Sequence, residues 1–293
     1  MITEAPTATQ VVGLDGAPQA PARIPGSLSL VLPAHNEAEN IEIVVQKALK
    51  TLPAFTDEFE VIVVNDGSRD ETGDIINRLA AEDGRVRAVH HPRNRGYGAA
   101  LTSGFDASTG DFVMFMDADR QFDIADLALL SPFVGRFDIV AGFRKERQDE
   151  FHRKLFAETF NLAVRVLFGV HMRDIDSAFK VFRGDMLRSL DLSAPGALIN
   201  TEMQAKLRRQ GASLVQIGVN HYPRVAGSAT GGSFRVIARA MNETIKLWWQ
   251  MRSYQPPVSS PQPRGPYRLG DLIVGSGIGM ALGAIYGIVK RRK

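Results

Sequence analysis

The sequence contains no cysteine among its 293 residues. Disulfides, cysteine-ligated zinc, iron–sulfur clusters and thiol nucleophiles are therefore excluded, and a metal ion would need oxygen or histidine ligands. The histidines His35, His90 and His91 lack the spacing of a metal site, so we interpret them as supporting or surface residues.

The sequence also has little excess of charge, with 35 basic residues against 32 acidic ones. A domain that binds nucleic acid usually carries a concentrated basic surface, so we expect no nucleic-acid partner. Residues 1–26 lack the basic start and the apolar run of a secretory signal, and they are rich in proline, alanine, threonine and glycine. We predict that they form a disordered lead-in.

From residue 27 onward, short apolar runs alternate with stretches of helical character. The predicted strands are LSLVLP, FEVIVVND, VRAVH and FVMFMD, and the predicted helices cover residues 37–51, 72–81 and 97–108. This alternation predicts an α/β fold with a mainly parallel, Rossmann-like sheet and helices on both faces. Ligands of such sheets bind beyond the carboxyl ends of the strands.

Polar residues follow three of the predicted strands, at residues 33–37, 65–70 and 117–121. Side chains at positions i and i+2 of a strand point the same way, so Asp117 and Asp119 could converge on one divalent ion, with Gln121 two positions further on. A hard cation such as Mg²⁺ or Mn²⁺ takes oxygen ligands and leaves positions for a diphosphate. The alternative is a helix N-cap or an Asx turn.

Seven segments in order give the chain a resemblance to glycosyltransferase family 2, which has the GT-A fold, and within it to polyprenyl- and dolichyl-phosphate sugar synthases. The resemblance covers about residues 27–228. The segments are LVLPAHNEAENI (30–41), VIVVNDGSRDET (61–72), NRGYGAALTSGF (94–105), MDADRQFD (116–123), RDIDSAFKVFR (173–183), NTEMQAKLRRQG (200–211) and HYPRVAGS (221–228).

The resemblance implies transfer of a sugar, with inversion, from a nucleotide-diphosphate donor. On the donor side it implies that the loop containing Pro33, Ala34, Asn36 and Glu37 holds the base and ribose, and that Asp66 accepts a hydrogen bond from the base. Asp117 resembles a carboxylate on the ribose or metal side. The implied ligands of Mg²⁺ or Mn²⁺ are Asp117, Asp119 and Gln121.

On the acceptor side, the resemblance implies a polyprenyl phosphate. A lipid phosphate is already an anion, so it needs cations that hold it rather than a base. The positions that resemble acceptor-phosphate contacts are Arg144, Arg173, Ser177 and Arg224. The sequence departs from the family where Thr-Ser-Gly-Phe-Arg is replaced by residues 176–180, DSAFK. The alternative is transfer to a saccharide or glycolipid hydroxyl, with Glu202 as base unless it is a helix-surface residue.

Together with the resemblance, the sequence predicts a lead-in (1–26), a GT-A catalytic domain (27–232), an amphipathic juxtamembrane helix (233–255), a proline-rich linker (256–270) and a candidate membrane segment with a basic end (271–293). Trp248 and Trp249 favour the headgroup layer of a membrane. The alternative for the juxtamembrane helix is that it packs on its own domain.

Residues 272–289 carry no charge and would form a helix of about 27 Å, barely long enough to span a bilayer. A nucleotide-sugar donor places the catalytic domain in the cytoplasm, so a single span would send the basic end to the far side, against the positive-inside tendency. The segment could instead lie in the interface or precede another helix. Glycines recur every fourth residue from Gly275 to Gly287, which predicts helix contacts and a homo-oligomer.

Overall fold

The structure, a computed structural model, describes residues 21–145, 162–194, 196–223, 234–256, 261 and 272–274. For residues 234–242 and 272–274 it describes the backbone alone. These residues build one eight-stranded sheet with helices on both faces.

The strands are β1 (Leu28–Ala34), β2 (Phe59–Asn65), β3 (Val86–His90), β4 (Phe112–Phe115), β5 (Ile139–Arg144), β6 (Lys180–Arg183), β7 (Leu214–Val219) and β8 (Leu272–Val274). The helices are α1 (Ile41–Thr51), α2 (Thr72–Glu82), α3 (Tyr97–Ala107), α4 (Leu127–Leu130), α5 (Gly184–Arg188), α6 (Ile199–Arg209) and α7 (Phe234–Ser253). Short 3₁₀ turns occur at Leu52–Ala54, Ile124–Asp126 and Ser131–Phe133, and residues 162–168 are also helical.

The strand order is β3-β2-β1-β4-β6-β5-β7-β8. Five of the seven neighbouring pairs are parallel, and β6 runs antiparallel to both β4 and β5. The prediction of a mainly parallel sheet is confirmed. Because β6 is reversed, its amino end lies at the same edge as the carboxyl ends of β1, β2, β4 and β5. We call this the carboxyl edge.

The core lies on both faces of the central strands, which explains their nearly continuous apolar sequences. In β1, for example, Leu30, Val31 and Leu32 are all fully buried. Helix α3 approaches β1 closely at Gly104, where a Cβ atom would lie 2.3 Å from Val31 Cγ1. Any larger residue at Gly104 would push α3 off the sheet, and the residues at the start of α3 would move with it.

Several boundaries differ from the sequence-based prediction, among them the end of β4 at Phe115 rather than Asp117, and two differ by four residues or more. The residues just before β1 are packed on the domain, because Ile24 is buried and its backbone N–H donates to the carbonyl of Phe55 at 2.8 Å. Residues 21–26 therefore do not belong to a disordered lead-in, and residues 1–20 lie outside the described part of the chain. Helix α1 also begins at Ile41, four residues later than predicted.

The predicted membrane helix is not confirmed. Its first residues, Leu272–Val274, form β8 and pair in parallel with β7. Within the described residues, the helices are all too short or too polar to cross a bilayer. Residues 275–293, including the regularly spaced glycines and the basic end, lie outside the described residues, as does most of the proline-rich segment.

Candidate active site

The loop after β1 is fastened to the loop after β2. Asn36 has a left-handed backbone conformation, with φ of 56°. Its N–H donates to Ser68 Oγ at 3.0 Å, and its side-chain Oδ1 accepts from the N–H of Arg69 at 2.8 Å. The N–H of Glu37 donates to Thr72 Oγ1 at 2.9 Å. Asn36 and Glu37 therefore lie in a loop that is hydrogen-bonded to the residues after β2. Pro33 and Ala34, which were expected in this loop, are instead the last two residues of β1 and pair with Val64 and Asn65 of β2.

Asp66 is buried between β2, β3 and the start of α3. Its Oδ1 accepts from His91 Nδ1 at 2.7 Å and from the N–H of Arg95 at 2.8 Å, and its Oδ2 accepts from the N–H of Gly96 at 2.9 Å. A carboxylate can accept about four hydrogen bonds. These three contacts therefore fix the carboxylate and leave room for about one further donor at Oδ2.

The Asp66–His91 pair did not follow from the sequence analysis, which treated His91 as a supporting or surface residue. Residues 65 and 90 are paired in the parallel register of β2 and β3. The residues that follow them, Asp66 and His91, are therefore neighbours at the carboxyl edge. The signal was present in the sequence as two polar residues at the ends of adjacent strands.

Gly67 is required where the β2 loop passes the β3 loop. Its φ is +65°, and a Cβ atom would lie 2.3 Å from the backbone carbon of Arg93. Both the backbone conformation and the contact exclude a larger residue. This contact keeps Asp66 against the start of α3.

Asp117 is held by the first residue of α3. The Tyr97 hydroxyl donates to Asp117 Oδ1 at 3.0 Å. Burial, the main cause, raises the pKa of Tyr97 well above its usual value, and the negative charges of Asp117, Asp176 and Asp119 raise it further. The hydroxyl therefore stays protonated, and three carboxylates lie within electrostatic range of it.

Asp119 and Gln121 lie in a loop rather than at a strand end, because β4 ends at Phe115. The N–H of Gln121 donates to Asp119 Oδ1 at 3.0 Å, and Arg120 between them has φ of 64°. This is the Asx-type turn that the sequence analysis kept as the alternative. Strand alternation was therefore the wrong reason to place Asp117, Asp119 and Gln121 together.

Gln121 is also tied to the segment after β7. Its side-chain amide donates to the carbonyl of Tyr222 at 3.4 Å, and its own carbonyl accepts from the N–H of Tyr222 at 2.9 Å. In the described part of the chain, no group of three or more acidic or histidine side chains is arranged to hold a metal ion. A cation here would need most of its ligands from a bound molecule and from water.

Cationic side chains lie at the end of β5 and in the loop before β6. Arg144 pairs with Asp174 through two hydrogen bonds, Nε to Oδ2 at 2.6 Å and Nη2 to Oδ1 at 2.8 Å. Arg173 is exposed, and its guanidinium lies 4.3 Å from the centre of the Phe143 ring. The two arginines are therefore neighbours, with Asp174 fixing the guanidinium of Arg144.

Lys180 lies beneath the loop that carries Arg173 and Ser177. It is fully buried, and its ammonium donates to the carbonyls of Ile175, at 3.1 Å, and Ser177. Burial lowers its pKa to about 8, although Asp174, Asp176 and Asp117 act in the opposite direction. From the sequence, Lys180 was seen only as a departure from the family pattern. A lysine within the apolar run AFKVF was the signal for a buried charge.

Ser177 is buried, and its hydroxyl has no hydrogen-bond partner within the described residues. Glu202 is also buried and accepts from the N–H and hydroxyl of Ser193, the N–H of Ala194 and the ammonium of Lys206. These contacts do not fit a general base, and its burial excludes the alternative of a helix-surface glutamate. Arg224 lies outside the described residues.

Comparison with known proteins identifies a family. Residues 29–194 match the family model described as glycosyl transferase family 2. Glycosyltransferase AglD of Haloferax volcanii is 34% identical over 234 residues, covering 76% of this chain and 37% of that protein. Undecaprenyl-phosphate 4-deoxy-4-formamido-L-arabinose transferase of Pseudomonas fluorescens is 35% identical over 158 residues, covering 53% of this chain and 46% of that protein. The chain thus spans less than half the length of these two relatives.

Among solved structures, the chain is similar to glucosyl-3-phosphoglycerate synthase from Mycobacterium tuberculosis. The crystal structure of that enzyme with Mn²⁺, UDP-glucose and phosphoglyceric acid has a TM-score of 0.61 at 22% identity, covering 77% of this chain and 80% of that one. At this identity the likeness shows the fold, which is the GT-A fold expected from the sequence.

Proposed function

The chain belongs to glycosyl transferase family 2, and on that basis we propose that it transfers a sugar, with inversion, from a nucleotide diphosphate to a polyprenyl phosphate. One observation carries the proposal. At the carboxyl edge, β6 lies between β4 and β5, so the acidic loop after β4 and Arg144 at the end of β5 lie on either side of the amino end of β6. The buried ammonium of Lys180 lies within electrostatic range of Asp117 and of Arg144.

On the donor side, Pro33 and Ala34 at the end of β1 and Asn36 and Glu37 in the loop after it would hold the base and ribose. Asp66 is fixed by His91 and the start of α3, and its remaining acceptor position at Oδ2 suits an N–H of a nucleoside base. The family resemblance implies that Asp66 accepts a hydrogen bond from the base, and the fixed position of its carboxylate supports this role.

The residues present fit a divalent cation. Asp117, Asp119 and Gln121 offer carboxylate and amide oxygens, which Mg²⁺ and Mn²⁺ prefer, and Mg²⁺ usually binds through one or two carboxylates plus substrate phosphates. When bound, the cation would neutralise charge on the departing diphosphate. The Mycobacterium tuberculosis enzyme has been solved with Mn²⁺ and with Mg²⁺, in each case with UDP. Tyr97 would orient Asp117 for this role.

On the acceptor side, Arg144 and Arg173 would hold the lipid phosphate, and the buried Ser177 hydroxyl would donate to one of its oxygens. A phosphate needs no base, which agrees with a Glu202 carboxylate that is fully engaged elsewhere. The names of the undecaprenyl-phosphate transferases support this acceptor class. A polyprenyl phosphate lies in a membrane, so we place the catalytic domain at the cytoplasmic membrane face.

One observation favours transfer to a hydroxyl instead. Asp176 stands where the resembling enzymes often carry threonine, and it acts on both the Tyr97 hydroxyl and the Lys180 ammonium. A carboxylate in that position could accept the proton of a saccharide or glycolipid hydroxyl.

To test this, the purified full chain would be incubated with a panel of nucleotide sugars and polyprenyl phosphate in the presence of Mg²⁺ or Mn²⁺. Parallel reactions would contain saccharide or glycolipid acceptors instead. Mass spectrometry identifies the product. We expect a sugar attached to polyprenyl phosphate. A sugar found only on a hydroxyl acceptor would overturn the phosphate assignment in favour of the alternative.

A further inference from the structure

The described side chains of α7, residues 243–253, divide into two faces. Thr244, Leu247 and Met251 are buried against the domain. Ile245 and Trp249 point the other way and remain 51% and 60% exposed. Residues 245, 249 and 252 are spaced four and three apart, so they lie along one stripe of the helix. We call the surface formed by Ile245, Lys246, Trp249 and Arg252, with the half-buried Trp248 at its margin, the outer face.

The inner side fixes the orientation of the outer face. Arg209 of α6 donates to the carbonyl of Tyr254 at 3.0 Å, just after α7 ends. The ammonium of Lys206, also in α6, lies 5.2 Å from the centre of the Tyr254 ring. The expectation that α7 packs on its own domain therefore holds for its inner side. Because α7 is fixed against α6, the outer face points away from the domain in a defined direction.

The outer face combines aromatic rings with positive charge. The rings of Trp248 and Trp249 meet edge to face, with their centres 5.2 Å apart. The guanidinium of Arg252 lies over both rings, 5.0 Å from the centre of Trp248 and 5.1 Å from that of Trp249. Lys246 is exposed beside them. Both charged residues of the outer face, Lys246 and Arg252, are cations.

We propose that the outer face of α7 lies in the headgroup layer of an anionic lipid bilayer. In this layer, Trp249 and Ile245 would contact the upper part of the acyl chains. Arg252 and Lys246 would reach the lipid phosphates, which lie about one side-chain length away. The matching charge favours an anionic surface. Because Arg252 is stacked on the two rings, its charge is already held at the depth that the tryptophans would occupy.

This inference goes beyond the transfer reaction, because it concerns how the domain is oriented rather than which bond it forms. It also does not depend on residues 275–293. If that segment anchors the chain, the outer face still decides which side of the catalytic domain faces the lipid.

Fluorescence tests this directly. The chain contains two tryptophans, and both are in the outer face. Intrinsic tryptophan emission of the full chain therefore reports this face alone, wherever else the chain touches the membrane. The probe is a set of vesicles containing phosphatidylglycerol, with and without bromine near the top of the acyl chain as a quencher. We expect a blue shift of the emission and quenching by the brominated lipid.

Variants of the outer face measure how much its charged and apolar residues contribute to vesicle binding. Lys246→Gln with Arg252→Gln should weaken binding to anionic vesicles about thirtyfold, because each basic side chain near such a surface contributes roughly fivefold. Ile245→Ser should reduce quenching. Ile43→Ser is the matched control, since Ile43 is a similarly exposed isoleucine on α1.

Three outcomes would overturn the proposal. The first is a chain that floats with the vesicles while its tryptophans stay unquenched, which would assign binding to another segment. The second is an equal effect of the Ile43 and Ile245 variants. The third is a blue shift that depends on protein concentration without lipid, which would show that a second copy covers the face.

Discussion

The Tyr97 hydroxyl donates a 3.0 Å hydrogen bond to Asp117 Oδ1, and so joins the first residue of α3 to the loop after β4. The same end of α3 supplies the N–H of Gly96 to Asp66. One helix terminus therefore positions both carboxylates assigned to the donor side. Displacement of α3 would disturb base recognition and the cation site together.

Removal of this hydrogen bond should impair the donor side. We expect Tyr97→Phe to lower transfer by about tenfold to a hundredfold, because a hydrogen bond to a charged group contributes roughly 1.5 to 3 kcal/mol. Transfer rate and nucleotide affinity would be measured together. Tyr222→Phe is the control, because the contacts of Tyr222 with Gln121 use its backbone atoms. Equal losses in the two variants would contradict the assignment to Tyr97.

The variant Asp119→Asn distinguishes the proposed role of Asp119 in binding the cation from its role in the turn. Asparagine keeps an oxygen that can accept the Gln121 N–H, so the loop should keep its conformation while the site loses a negative charge. We expect turnover to fall by about a hundredfold or more, and nucleotide affinity to lose its dependence on Mg²⁺ or Mn²⁺. Unfolding midpoints check that the fold is intact. Full activity of the wild-type protein in EDTA would refute the cation site.

Arg173→Ala should affect the acceptor rather than the donor. We expect transfer to polyprenyl phosphate to fall by about tenfold to a hundredfold while donor affinity changes little, since the arginine charge would act on the acceptor phosphate. Arg78→Ala is the control, because Arg78 pairs with Glu42 and Glu82 on the surface. If Asp176→Asn abolishes transfer and Arg173→Ala does not, the hydroxyl acceptor is favoured.

Glu202→Gln should reduce stability rather than catalysis. The buried carboxylate accepts from Ser193, Ala194 and Lys206, and glutamine would turn one acceptor oxygen into a donor facing these groups. We expect a loss of about 1 to 3 kcal/mol in the free energy of unfolding. Denaturant titration measures this loss. The transfer rate per folded molecule should stay near that of the wild type, and a folded but inactive variant would restore Glu202 as a candidate base.

Lys180 should make stability depend on pH. Burial lowers its pKa from 10.5 to about 8, so the folded state prefers the neutral amine. Below about pH 8, Lys180 is protonated in both the folded and the unfolded protein. The folded state is then destabilised by the full cost of burying the charged ammonium. Between pH 8 and 10.5 the unfolded chain binds more protons, so stability rises with pH by about 3 kcal/mol in total. Lys180→Met should lack this rise, and denaturant titrations at several pH values compare the two proteins.

Much of the donor side could be predicted from the sequence, because it depends on parallel strands in chain order. The ends of β1 and β2 follow from apolar runs that stop at polar residues, and Asp66 lies where that pattern places it. β4 ends at Phe115, two residues before the predicted end, so Asp117 lies in the loop after the strand. The conformations of the loops could not be predicted in this way. Arg120 adopts a positive φ that no local pattern indicates, and this φ decides how Asp119 and Gln121 are related.

The acceptor side was harder, because its partners come from distant parts of the chain. Arg144 and Asp174 are thirty residues apart in sequence, and their pairing depends on β6 running against its neighbours. Glu202 looked like a candidate base because it stands where related enzymes carry an acidic residue. Its role depends on Ser193 and Ala194 folding back over that helix, which periodicity does not reveal.

The reversed direction of β6 also has an evolutionary consequence. Since the strand enters the sheet at the carboxyl edge, the short loop before it reaches the reaction centre without taking part in the packing of β1, β2 and β3. Under the proposed function, substitutions at the exposed positions Arg173 and Asp176 would change which acceptor is chosen, whereas Ile175, Ala178 and Phe179 in the same segment are buried in the core. Asp176, at a position where the resembling synthases often carry threonine, is one of these two exposed positions.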